Sequence, residues 1–103
     1  MINKIKEFNE NKKCHEKPMP ACARILDIQS EIGELSKEYL KNSKYGTSEF
    51  LKTEDFELEF GDVLYSIISL GLECDINIEM AVDKVLEKYK KRISKNKNMG
   101  SGR

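Results

Sequence analysis

The sequence predicts an all-α protein, a helical bundle of four helices, on three observations. Apolar residues recur at 3-4 spacing in four separate stretches. No stretch shows the strict alternation of a half-buried strand. The composition is rich in Lys, Glu, Leu and Ile, and both prolines, Pro18 and Pro20, fall near the N-terminus. At 103 residues, 39% apolar and 35% charged, the chain has the size of one domain with a modest core. That domain is placed at 1–95, with 96–103 as a disordered tail.

The first helix is expected over 2–16, with Ile2, Ile5 and Phe8 or Asn9 on one face. Pro18-Met19-Pro20 interrupts it, and Pro20 is suited to open the next helix. The second helix is expected over about 20–43, with Ile25, Ile28, Ile32, Leu35 and Tyr39 as a core stripe. Arg24, Asp27, Glu31, Glu34 and Glu38 form a second stripe, offset by one residue. Residues 42–53 read as a loop, with Gly46 to reverse the chain and room for a short helical turn near 48–52. Thr53 is a good N-cap for a third helix over about 54–73. There the core stripe is Phe56, Phe60, Val63, Ile67 and Leu70, and the neighbouring stripe is Asp55, Glu59, Asp62, Ser66 and Glu73. After a break at Cys74–Asn77, which Asp75 or Asn77 can cap, the fourth helix is expected over about 77–95. Its core positions are Ile78, Ala81 or Val82, Val85, Tyr89 and Ile93, and Lys84, Lys88, Lys91 and Lys95 share another face.

One pattern occurs twice: Glu31-Ile32-Gly33-Glu34 and Glu59-Phe60-Gly61-Asp62. Positions three apart share a helix face, so each copy points two carboxylates the same way. Glycine inside a helix costs about 1 kcal/mol relative to alanine. Two such glycines beside paired acids suggest two backbones in close approach. Four carboxylates facing one another would repel, and a hard cation with oxygen ligands, Mg²⁺ or Mn²⁺, would relieve that repulsion.

Charge is balanced over the chain, which gives no general attraction to nucleic acid, but it is segregated. Residues 27–62 hold ten acids and four bases, and residues 84–103 hold eight bases and one acid. Such blocks read either as solvated helix faces or as an acidic metal site opposite a basic segment that meets phosphate. The three cysteines, Cys14, Cys22 and Cys74, have no metal-binding spacing and read as reduced thiols of a cytoplasmic protein. No N-terminal apolar region suits a signal peptide, and no apolar run suits a membrane span.

With these residues in hand, the chain resembles the MazG-like, all-α nucleoside triphosphate pyrophosphohydrolases. Their signature is E-x-x-E, a spacer, then E-x-x-D. Here it reads Glu31-x-x-Glu34, residues 35–58, and Glu59-x-x-Asp62. Ser30-Glu31-Ile32-Gly33-Glu34-Leu35 is similar to the family's E-E-x-G-E-L run, departing at Ser30. Glu59-Phe60-Gly61-Asp62-Val63-Leu64-Tyr65 is similar to its E-L-G-D-V-L-F/Y run. Residues 76–92 resemble its closing segment, and the resemblance spans about 18–93.

The resemblance implies hydrolysis of a nucleoside triphosphate to the monophosphate and pyrophosphate, with Mg²⁺ as cofactor and Mn²⁺ as a substitute. It implies Glu31, Glu34, Glu59 and Asp62 as metal ligands, directly or through water. Glu34 and Glu38 are candidates for the catalytic step, Glu38 by orienting the attacking water or holding a second metal. Lys84, Lys88, Lys91 and Arg92 are candidates to balance the triphosphate, and His15 to touch the base. For each lysine and for His15 a solvated surface position is the competing reading. The resemblance further implies a core completed by forming a homodimer or homotetramer. Three alternatives remain at this stage: a phosphoribosyl-ATP pyrophosphohydrolase, a non-catalytic helical module on the same scaffold, and a nucleic-acid binder resting on 84–103.

Overall fold

The computed structural model of the chain describes residues 1–13, 17 and 19–98, with 97 and 98 by backbone alone. The expected positions of Cys14, His15, Pro18 and 99–103 lie outside the described residues. Among the described residues there are four helices and no strand: α1 (Ile2–Lys12), α2 (Ala21–Asn42), α3 (Glu54–Glu73) and α4 (Ile78–Asn98). No helix among them is long and apolar enough to cross a membrane.

The helix ends follow local chemistry. Pro20 is the N-cap of α2 rather than its first helical residue, because its ψ of 150° is extended. The turns after α2 fall at Ser43–Thr47, not near 48–52, and no helical turn forms over 49–53. Lys44, Tyr45 and Gly46 all take positive φ there, and Gly46, at +86°, is the residue that does so without a Cβ penalty. Thr53 caps α3, accepting from the Phe56 N–H at 3.2 Å and from Asn42 Nδ2 at 3.1 Å. The same threonine oxygen thereby ties the end of α2 to the start of α3.

At its far end α3 closes in a Schellman motif. The Ile76 N–H donates to the Gly71 carbonyl and the Asp75 N–H to the Leu72 carbonyl, with Asp75 at φ +58°. Asp75 therefore ends α3, and Asn77 starts α4 by accepting from the Met80 N–H at 3.0 Å. Helix α4 continues to Asn98, past the expected start of the tail at Asn96. Nothing in Asn96-Lys97-Asn98 stops a helix, and the next breaker is Gly100.

Helices α2 and α3 form an antiparallel hairpin. Tyr39 meets Phe56 near the loop, and Arg24 bonds Glu73 at the other end. Helix α1 lies against α3, where Phe8 packs edge-on to the Tyr65 ring. Tyr65 Oη donates to Asn9 Oδ1 at 2.6 Å, and Asn9 Nδ2 donates to the buried Ser69 Oγ at 3.0 Å. Helix α4 meets the rest of the chain where Ile78 packs on Gly71, and from Glu79 to Lys95 every residue is exposed. The molecule is accordingly long, 56 × 37 × 23 Å, with a radius of gyration of 17.8 Å. A compact domain of about 100 residues has about 13 Å.

Two sequence expectations are corrected here. The first concerns the core stripes. Among the described residues, the buried apolar side chains are Ile28, Val63 and Ile68. Ile25, Ile32 and Tyr39 of α2 and Phe60 and Ile67 of α3 are about half exposed, as are Val82 and Tyr89 of α4. The hairpin seam draws on both stripes: Ile28 and Val63 of the core stripes and Arg24 and Ser66 of their neighbours are buried, while Leu35, Phe56 and Leu70 of the former and Asp27, Glu31, Glu38 and Glu59 of the latter are half-buried. The outer residues of the apolar stripes flank the seam and find no further layer in the single chain, because α4 projects.

The second correction concerns glycine. A Cβ at Gly33 or Gly61 would meet nothing within 4 Å, so neither serves a close backbone approach within this chain. The glycine that is closely approached is Gly71, whose added Cβ would lie 3.1 Å from Ile78 Cγ1. Gly61→Ala is therefore expected to raise the melting temperature by about 4–8 °C, from a gain near 1 kcal/mol in helix propensity. A fall in a thermal melt would place a second chain against Gly61.

Candidate metal centre

The antiparallel pairing of α2 and α3 sets Glu31 opposite Glu59 and Asp62. Glu59 and Asp62 are three apart on α3 and share a face. Each of the three acids offers one carboxylate oxygen, and these oxygens lie within 4.8 Å of one another. Glu31 and Glu59 are half-buried in the seam, and Asp62 opens to solvent. Two full charges at such a distance repel by about 1 kcal/mol in water, and more where they are partly desolvated.

Glu31 carries the consequence. Its carboxyl is held above the ordinary value of 4.5, first by burial in the seam and then by Asp27, Asp62, Glu59 and Glu34. Asp27 is the first of these charged neighbours. It lies one turn before Glu31 on α2 and is half-buried in the same seam. The motif alone does not single it out as a site residue. Its four-residue spacing from Glu31 on the acidic stripe is the signal that would have.

The other sequence-derived candidates are placed differently. Glu34 is exposed, stands outside the three-acid cluster, and its carboxylate is 3.9 Å from Lys37 Nζ. Glu38 is half-buried one turn further, beside the aromatic group that closes the loop end of the hairpin. In that group Tyr39 and Phe50 stack at 4.5 Å, and Phe50 meets Phe56 edge-on at 4.8 Å. Lys84, Lys88, Lys91 and Arg92 are all exposed on the projecting α4. The Lys88 ammonium and the Arg92 guanidinium both lie 5.5 Å from the centre of the Tyr89 ring. One chain therefore does not bring its basic helix to its acidic cluster. His15 lies outside the described residues. Cys22 and Cys74 are free and exposed, consistent with their reading as thiols.

The donor set is all oxygen, with neither imidazole nor thiolate. Such a set fits a hard cation of the Mg²⁺, Mn²⁺ or Ca²⁺ kind and not a soft one. A cation held among these oxygens would offset the like charges that, after burial, raise the Glu31 carboxyl.

No protein-family profile matches the chain, and no solved structure does. Over 78 residues the chain is 37% identical to the uncharacterized protein YpjD of Bacillus subtilis (strain 168). That stretch is 73% of this chain and 66% of YpjD, so the chain spans just under two thirds of the relative's length.

Proposed function

We propose that the chain is a Mg²⁺-dependent nucleoside triphosphate pyrophosphohydrolase of the MazG-like kind, releasing the monophosphate and pyrophosphate. The observation that carries this reading is the convergence of Glu31, Glu59 and Asp62, one acid from the first motif and both from the second, on one oxygen-lined point. These three would hold the cation, with Glu34 reaching it through water. The cation would neutralise charge on the phosphate oxygens and lower the pKa of a bound water. Glu38, half-buried on the same stripe, would orient the attacking water. Glu31 and Glu59 are half-buried in the seam, which strengthens the charge interactions made there.

The reading includes a homodimer or homotetramer. The chain exposes 8503 Å², whereas a compact 11.9 kDa protein exposes about 5,900 Å². A second copy on the flanking apolar stripes would remove much of the excess. It would also supply the lysines and Arg92 of α4 to the phosphates, which a single chain does not do.

A panel of nucleotides with Mg²⁺, including phosphoribosyl-ATP, followed by separation of products, tests the reaction. Monophosphate with pyrophosphate is the expected outcome. Diphosphate with phosphate, or no turnover with Mg²⁺ or Mn²⁺, would refute it, the latter pointing to the non-catalytic module.

A further inference from the structure

A second charged feature lies at the other end of the hairpin. A cavity of about 630 Å³ opens between α1, the start of α2 and the end of α3. Its volume is within the range of small-ligand sites. Lys6, Lys13, Lys17 and Arg24 are among the residues that line it. Glu10 and Glu73 are the only carboxylates on the wall among the described residues. Glu73 is taken by Arg24 Nε at 2.7 Å, a pair whose arginine side chain is 9% exposed. The guanidinium has four further N–H donors. Glu10 reaches Lys13 at 3.8 Å with both side chains 60% exposed, a contact that offsets little.

The first turn of α2 borders the same cavity through Ala21. Pro20, its N-cap, has no side chain that can accept from the first amides, and no acid occupies that turn. The positive end of the helix dipole thus adds to the lysines.

We propose that this cavity binds a small phosphate-bearing anion, inorganic pyrophosphate being its simplest form. Multiply charged phosphate oxygens match several N–H donors converging from different elements, as a single carboxylate would not. Arg24 precedes Glu31 by two turns of α2, about 10 Å along the axis. The site is therefore separate from the acidic cluster and needs no cation.

The test is a calorimetric titration of the full chain with pyrophosphate, in chelator and at low ionic strength. One saturable site per chain is expected. Lys6→Glu with Lys13→Glu, both on exposed side chains, should weaken it by at least about tenfold. Lys17→Glu, measured separately, should weaken it in the same direction. Lys41→Glu with Lys52→Glu, at the opposite end of the hairpin, should change it less than about twofold, since screening leaves remote surface charge little effect. Glu31→Gln should leave it unchanged. Absence of saturable binding, equal weakening by the Lys41 and Lys52 pair, or a loss confined to Glu31→Gln would each overturn the proposal.

Discussion

Glu59→Ala is expected to reduce turnover by more than about a hundredfold, ~2.7 kcal/mol in barrier terms, while leaving the circular-dichroism spectrum of the helices unchanged. Glu59 is half-buried in the hairpin seam, and its carboxylate is one of the three oxygens that converge. It lies inside α3 and caps no helix end, so its loss should not unfold the chain. Truncation also removes one of the charges that raise the Glu31 carboxyl, so the melting temperature in chelator should rise slightly. The measurement is steady-state release of pyrophosphate by wild type and variant at saturating Mg²⁺. A variant keeping more than about a tenth of the wild-type rate, a loss under about 1.4 kcal/mol, would show that Glu59 does not ligate the cation.

The second large effect concerns the cation-free protein. Below about pH 4.5 Glu31 is protonated in both folded and unfolded chains, and burial meets no charge. As pH rises, the unfolded chain releases this proton first, because the folded-state value is the higher one. Stability attached to Glu31 is therefore present at low pH and lost as pH climbs through the raised folded value. In chelator the protein should melt lower at pH 7 than near pH 5, as far as this group decides.

On the proposed reading Mg²⁺ would bind the folded site alone. It should stabilise by about 2.7 kcal/mol at a hundred times its dissociation constant, or more than about 10 °C for a domain of this size. Asp62→Asn removes one charge with little change of shape. It should raise the melting temperature in chelator, lose most of the Mg²⁺-dependent rise, and abolish turnover. Thermal melts of both proteins, with chelator and with Mg²⁺, decide the matter. Equal Mg²⁺ shifts in wild type and variant would place the cation elsewhere and end the three-carboxylate site.

Much of this architecture was legible in the chain because helix ends are local chemistry. Thr53 followed by Glu54 and Asp55 starts α3 where expected, and the break at Cys74–Asn77 ends it where expected. The doubled acid motif was legible for the same reason. Spacing on a helix sets which side chains share a face, and two helices that carry the same pair of stripes can pack with their acidic stripes along one edge. The sequence alone therefore placed Glu31, Glu59 and Asp62 on stripes able to meet.

Which stripe turns inward was not legible. A 3.6-residue period fixes the angle between two stripes on one helix but not the angle at which that helix meets its neighbour. That angle depends on every layer present. With α4 projecting, no third layer covers Ile25, Ile32, Phe60 or Ile67, and the seam closes on Ile28 and Val63 of the expected core stripes together with Arg24, Glu31, Ser66 and Ser69. The same projection keeps Lys84, Lys88, Lys91 and Arg92 from the acids of their own chain. Gly33 and Gly61 show the limit from the other side. Sequence marks them as costly to a helix, but only the tertiary structure decides whether a neighbour comes close, and within one chain it places that neighbour at Gly71.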